Sequence, residues 1–122
     1  MAAVLIVDDD NAFRKVLHTI FDQGSGFNVC MEAINGVEAI AKTKHLLLNL
    51  TVVDFSLPDI TGLQLARELK AIAPEMPIFM LTAGSVAEIE KEALSCGITG
   101  VFSKFDDLTA LVENARAVCG IK

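Results

Sequence analysis

The stretch Leu50-Thr51-Val52-Val53-Asp54-Phe55-Ser56-Leu57-Pro58 decides how this chain folds. Leu50 to Val53 reads as a buried strand that delivers one carboxylate, Asp54, to its end. Pro58 fixes φ and has no amide hydrogen to donate, so the strand cannot continue through it. Asp54 is thereby offered at a strand-to-loop edge, where open α/β sheets bind ligands. Working outward, three other apolar runs end in the same manner. Val4-Leu5-Ile6-Val7 runs into Asp8-Asp9-Asp10, Ile78 to Leu81 ends at Thr82, and Val101-Phe102 stops before Lys104.

Helical spacing fills the intervals between these runs. Asn11 to Gln23 places Phe13, Val16, Leu17, Ile20 and Phe21 on one stripe, with Asp10 or Asn11 as cap and Gly24-Ser25-Gly26 as terminator. Phe27 to Ala33 reads as a second strand, followed by Asn35-Gly36 and a helix carrying Val37, Ile40 and Ala41 that ends near Lys44 or His45. Gly62 to Ile72 spaces Leu63, Leu65, Ala66, Leu69 and Ile72 helically, and Pro74 and Pro77 bracket the next loop. Val86, Ile89, Ala93 and Leu94 mark a fourth helix that Gly97 can close; Leu108, Leu111, Val112, Ala115 and Val118 mark a fifth. Five strand-then-helix repeats predict an α/β protein with a parallel sheet, right-handed crossovers and helices on both faces. That topology gathers Asp8, Asp9, Asp54, Thr82 and Lys104 on one edge.

Composition narrows the function. At 122 residues the chain is of single-domain size, and 52% hydrophobic content is enough for a sizeable core. A net charge of −6 argues against direct nucleic-acid binding, which needs a basic face. Cys30, Cys96 and Cys119 are odd in number and widely spaced, which indicates reduced thiols and no zinc site. No signal-peptide order opens the chain and no run is long enough to span a bilayer, so a cytoplasmic protein without membrane insertion is expected.

Three carboxylates gathered within about 4–6 Å repel one another by on the order of 4 kcal/mol per pair at 4 Å and an effective dielectric near 20. Lys104 alone does not balance that, whereas Mg²⁺ suits an all-oxygen site of carboxylates, a backbone carbonyl and waters. Asp54 can then act as a carboxylate nucleophile toward phosphorus, Lys104 can contact a phosphoryl oxygen, and the Thr82 hydroxyl can donate to another. Taken singly, each feature has a plainer reading. The acidic triplet can be a helix cap, Asp54 a turn residue, Thr82 or Ser85 a cap of the fourth helix, and Lys104 a surface lysine.

Val7-Asp8-Asp9, Asp54-x-x-Leu57-Pro58-x-x-x-Gly62, Leu81-Thr82-Ala83 and Ser103-Lys104, in this order at strand ends, together resemble the receiver domain of two-component response regulators, chemotaxis-type single-domain receivers among them. The resemblance covers nearly the whole chain and implies one receiver domain over residues 1–122. The implied fold is flavodoxin-like, (βα)5, a three-layer sandwich with a five-stranded parallel sheet of order 2-1-3-4-5. The family's roles fall on matching positions: Asp54 as phosphoacceptor, Thr82 as switch hydroxyl and Lys104 as phosphate contact. Mg²⁺ is implied on Asp9, Asp54 and the Ser56 backbone carbonyl, with Asp8 reaching it through water. The implied phosphodonor is a histidine kinase or histidine phosphotransfer protein. Output is implied through the fourth helix, fifth strand and fifth helix, about Ser85 to Val118, in a monomer or a phosphorylation-dependent dimer. The chain is expected to signal through protein contacts and not to act as an enzyme on a separate substrate.

Phe105 stands where members commonly have proline after the lysine, so a trans Lys104-Phe105 bond is expected. Val101 stands where many members carry an aromatic switch residue; Phe102 is a candidate stand-in, although strand alternation should point it to the opposite face. Ser56 and Gly84 are small, which predicts an acyl phosphate open to water and short-lived. His18 and His45 are expected to be structural or surface residues, Met76 and Met80 packing residues, and Glu88, Glu90 and Glu92 a solvated helix face. Two other functions remain in view: a degenerate receiver acting as a phosphorylation-independent binding module, favoured by Val101 and Phe105, and an aspartyl-phosphate phosphatase. The second lacks its usual D-x-D, since Ser56 follows Asp54-Phe55.

Overall fold

The computed structural model describes residues 2–23 and 26–121. Strands β1 (Ala3–Val7), β2 (Val29–Ala33), β3 (Leu50–Asp54), β4 (Ile78–Thr82) and β5 (Gly100–Ser103) alternate with helices α1 (Asn11–Asp22), α2 (Gly36–His45), α3 (Gly62–Ile72), α4 (Val86–Ser95) and α5 (Leu108–Val118). The sheet has the order β2-β1-β3-β4-β5 and every pairing is parallel. It is the flavodoxin-like order that the family resemblance implies.

The period-two alternation of the buried strands builds two cores. Leu5, Val7, Val53, Met80 and Val101 face α2, α3 and α4 through Ala39, Leu63, Leu65, Leu69 and Ala93. Val4, Ile6, Val52, Phe79 and Leu81 face α1 and α5 through Leu17, Phe21, Leu111 and Ala115. Every residue of β1, β3 and β4 is buried, and each large apolar side chain there contributes about 1.5–3 kcal/mol.

The helices begin where their capping chemistry allows. Asp10 accepts from the Ala12 and Phe13 amides, Asn35 from Glu38, and Asp107 from Thr109. Thr61 and Gln64 form a reciprocal capping box at α3. Ser85 occupies the cap position of α4 without a side-chain cap bond. Gly97, at φ 89°, ends α4 in the left-handed region that glycine adopts without strain.

Several expectations need correction. Strand β2 starts at Val29 and not Phe27, because its pairing with β1 begins with Ala3 opposite Val29; the Phe27 ring packs edge-on against Phe21, 5.1 Å between centroids. Helix α1 stops at Asp22, one residue short, and of its expected terminator Gly24 and Ser25 lie outside the described residues. The apolar stripes are also narrower than expected, since Val16, Val37, Leu94 and Val118 are exposed. A helix of ten to twelve residues lying on a sheet buries only the line nearest it. In α1 that line is Arg14, Leu17 and Phe21; in α2 it includes Thr43.

Candidate functional site

The parallel register brings the ends of β1, β3, β4 and β5 to one edge, and the expected residues converge there. Asp8, Asp9 and Asp54 each offer a carboxylate oxygen, and these oxygens lie within 4.8 Å of one another. Asp8 and Asp54 are buried, whereas Asp9 is exposed. Lys104 reaches across from the end of β5, its Nζ 2.8 Å from Asp8 Oδ2 and 3.2 Å from Asp54 Oδ2. The Phe13 ring lies beneath the ammonium, 4.6 Å from Nζ to its centroid, a geometry that favours the charged form.

Local backbone contacts explain why Asp54 sits where it does. The Phe55 amide donates to Leu81 O at 2.8 Å, extending the β3 pairing one residue past Asp54. The chain then turns, and the Gly62 amide donates back to Phe55 O at 2.8 Å. A Cβ at residue 62 would stand 2.5 Å from Asp54 O and 2.9 Å from Phe55 Cα, so this close approach requires glycine. The spacing from Asp54 to Gly62 is thus the length of loop that folds α3 back onto the end of β3.

Electrostatically, Asp54 is the less satisfied of the two buried acids. Burial raises its pKa, the Asp8 charge raises it further, and Lys104 and the Ser56 amide only partly oppose this. The Lys104 pKa is also raised: burial disfavours its charge, but the pairs with Asp8 and Asp54 prevail. The two directions differ in sense for one ion pair, since Lys104 gains charge stability while Asp54 loses it. The distances resolve this, because Lys104 leans more closely on Asp8, whose other oxygen Oδ1 accepts from the Asp10 amide at 2.8 Å.

Thr82 is buried, and its Oγ1 accepts from the Gly84 amide at 3.0 Å, while its carbonyl receives the Lys104 amide at 2.9 Å. A cleft of about 320 Å³ opens here, lined by Asp54, Ser56, Thr82, Gly84, Glu88 and Lys104 among others. A larger hollow of about 440 Å³ lies at the opposite end of β3 and β4 around Leu48 and Pro77, with Glu75 as its one ionisable lining residue. Convergent chemistry, and not size, marks the site. Hard carboxylate oxygens clustered beside an open face fit Mg²⁺ by donor type.

The departures at β5 resolve as the alternation requires. Val101 is buried on the α2–α4 side, and Phe102 packs on the opposite face, its ring 5.1 Å from that of Phe79. Phe102 therefore cannot stand in for the aromatic at position 101. No cis peptide bond occurs among the described residues, Lys104-Phe105 included, and Phe105 is 80% exposed.

Sequence reading missed three supporting residues. Arg14 is buried beneath the acidic loop; its place on the Leu17–Phe21 line of α1 was the available signal. Glu32 accepts from Arg14 Nε at 2.7 Å, and nothing in its strand sequence marks it. Asp59 accepts from the Gly36 and Val37 amides at 2.9 and 3.0 Å, tying the β3–α3 loop to the start of α2. His18 has a structural place, its Nδ1 3.0 Å from Glu32 Oε2 but off the hydrogen-bonding direction.

A doubly wound α/β domain whose carboxyl edge carries an acidic cluster braced by a lysine is the class that fold and site define. The chain belongs to the response regulator receiver domain family, whose model matches residues 4–116. A putative transcriptional regulator of Pseudomonas aeruginosa is 33% identical over 118 residues, covering 97% of this chain and 56% of the relative. A protein-glutamate methylesterase/protein-glutamine glutaminase of Paramagnetospirillum magneticum is 33% identical over 98% of this chain and 35% of its own length. The chain thus spans about half or less of the curated relatives it matches. Among solved structures, response regulator TrrA of Thermotoga maritima in complex with Mg²⁺-BeF superposes with a TM-score of 0.86 at 26% identity, covering 97% of this chain and 99% of that one. Among the described residues, no helix is long and apolar enough to cross a membrane.

Proposed function

We propose that residues 1–122 form one receiver domain that accepts a phosphoryl group on Asp54 from a histidine kinase or histidine phosphotransfer protein. The observation that carries this reading is the contact of Lys104 with both Asp8 and Asp54, with Asp9 at ligand distance. An Asp54 carboxylate oxygen attacks phosphorus, and the new O–P bond forms as the donor's N–P bond breaks, its electron pair staying on the imidazole nitrogen. Lys104 follows the negative charge from the carboxylate to a phosphoryl oxygen. The Thr82 hydroxyl, whose oxygen already accepts from Gly84, keeps its own hydrogen free to donate to another. Asp9, Asp54 and the Ser56 carbonyl would hold Mg²⁺, with Asp8 reaching it through water. When bound, the metal supplies neutralisation of the gathered carboxylates and the phosphoryl oxygens. Catalysis is positioning and charge stabilisation, confined to the domain's own phosphorylation and dephosphorylation.

Phosphorylation then shifts a two-state equilibrium toward the form with Thr82 drawn inward. The readout is the face of α4, β5 and α5, where Leu94 and Val118 are already exposed. With Val101 in place of an aromatic, no ring swings there. Output passes through protein contacts in the cytoplasm, from a monomer or a phosphorylation-dependent dimer.

The test is incubation with acetyl phosphate and Mg²⁺ followed by intact mass. One added phosphoryl group, abolished by Asp54→Asn and by chelation, is expected. No adduct, under sampling fast enough for a short lifetime, would favour a phosphorylation-independent binding module. Repeated turnover of a phosphomonoester would favour a phosphatase.

A further inference from the structure

We propose that Arg14 is a positioning residue for Mg²⁺, clamping the peptide that aims Asp9 at the acidic pocket; this rests on the receiver reading above. Arg14 sits in α1 with only 11% of its side chain exposed. All three of its nitrogens are engaged, each by a different segment. Nη1 donates to the Asp8 carbonyl at 2.8 Å, Nη2 to Asn11 Oδ1 at 2.7 Å, and Nε to Glu32 Oε1 at 2.7 Å. A planar guanidinium held from β2 and α1 therefore presents one fixed donor to the loop between β1 and α1.

That carbonyl matters because it shares a rigid peptide plane with the Asp9 amide. The other groups of Asp8 are held as well: its amide donates to Ala33 O at 3.1 Å, Oδ1 accepts from Asp10, and Oδ2 pairs with Lys104. Among the described residues, no hydrogen bond holds the exposed Asp9 carboxylate. The direction of its Cα–Cβ bond is thus set by the backbone alone, and the side chain gripping the preceding peptide is Arg14.

Glu32 has a second part in this arrangement. Paired with Arg14, it cancels the guanidinium charge beside a pocket that must attract a dication. It is held in turn at the backbone, where Lys42 Nζ donates to the Glu32 carbonyl. Positioning is thereby separated from charge, and the two can be tested apart. Arg14→Lys keeps the charge but loses the fork, while Glu32→Gln keeps an acceptor but leaves the guanidinium unbalanced.

The experiment titrates Mg²⁺ into each protein, following backbone amide NMR shifts, and measures hydrogen exchange of the Asp10 amide without metal. Residues that orient metal ligands from behind typically control affinity by about 10–100-fold. Arg14→Lys is expected to weaken Mg²⁺ binding in that range and to speed exchange at Asp10, whose amide donates to Asp8 Oδ1, in a protein that still unfolds cooperatively in urea. Asn11→Ala, which removes only the Nη2 support, is expected to show the same pattern at a few-fold and guards against a misfolded Arg14 variant. Unchanged Mg²⁺ affinity in folded Arg14→Lys and Asn11→Ala would overturn the clamp while leaving the receiver reading intact. A wild-type protein that fails to bind millimolar Mg²⁺ would overturn both.

Discussion

Replacing Lys104 by Met keeps the length of the stem and removes the one charge that touches both buried carboxylates. The ammonium lies 2.8 Å from Asp8 and 3.2 Å from Asp54, and the three side chains are 13%, 2% and 8% exposed. Removing one partner of so buried a set typically costs about 3–5 kcal/mol. Here Asp54 can relieve the strain by taking a proton, its pKa being raised already by burial and by Asp8. The expected loss at pH 7 without metal is therefore about 3 kcal/mol, a fall of about 1.5 M in the urea midpoint for an m-value near 2 kcal/mol/M. The pH dependence has a definite sign. A carboxyl whose folded pKa lies above its unfolded one binds an extra proton in the folded state, so ionised Asp54 costs stability at high pH. Stability is recovered as pH falls through the folded pKa. The Lys104→Met deficit should therefore shrink as pH falls below 7. Mg²⁺ at about 100 times its dissociation constant adds about 2.7 kcal/mol by mass action, and the more negative pocket of the variant should reach saturation at lower metal. The chain has no Trp or Tyr, so unfolding is followed by far-ultraviolet circular dichroism. A variant within about 0.5 kcal/mol of wild type at pH 7, or one whose deficit widens as pH falls, would refute the electrostatic account of the site.

Gly62→Ala should destabilise by about 2–3 kcal/mol, because the added Cβ meets backbone of Asp54 and Phe55 that cannot retreat. Gly84→Ala, whose Cβ would make only a 3.5 Å contact with Thr82 Oγ1, serves as its control and should stay within about 0.5 kcal/mol in the same urea titration. The Gly36 and Val37 amides hold the exposed Asp59 carboxyl below the usual carboxylate range. Its contribution is therefore present above about pH 4 and lost as pH falls through its lower folded value, so the stability difference between wild type and Asp59→Asn should narrow in acid. Ser56 and Gly84 leave the cleft beside Asp54 open, so phosphorylated protein should lose its phosphoryl group quickly; a half-life of many hours by intact mass contradicts this.

The strands and their carboxyl-edge residues were legible because the pattern there is local and strict. A short continuous apolar run, β-branched and stopped by a charged residue or proline, reads as a strand buried on both faces, and the charged residue that ends it falls at the sheet edge. The helix faces were less legible: Val16, Val37, Leu94 and Val118 carry the right periodicity and still face solvent. Spacing gives a helix its stripe, but the sheet beneath determines how wide a stripe it covers. Arg14 illustrates the converse, a charged residue on the buried line whose partners, Asp8 O and Glu32, become neighbours only when β1, β2 and α1 pack.

By itself the sequence determined the order of elements, the kind of sheet and the identity of the residues brought to one edge, because hydrophobic period, proline and glycine act over a few neighbours. Tertiary structure alone decided how charge is shared there. Lys104 stands closer to Asp8 than to Asp54, and a guanidinium from α1 grips the loop between β1 and α1. These contacts turn on differences of a few tenths of an ångström, 2.8 against 3.2 Å, between segments as many as 96 residues apart, and such differences are fixed by packing and not by any local pattern.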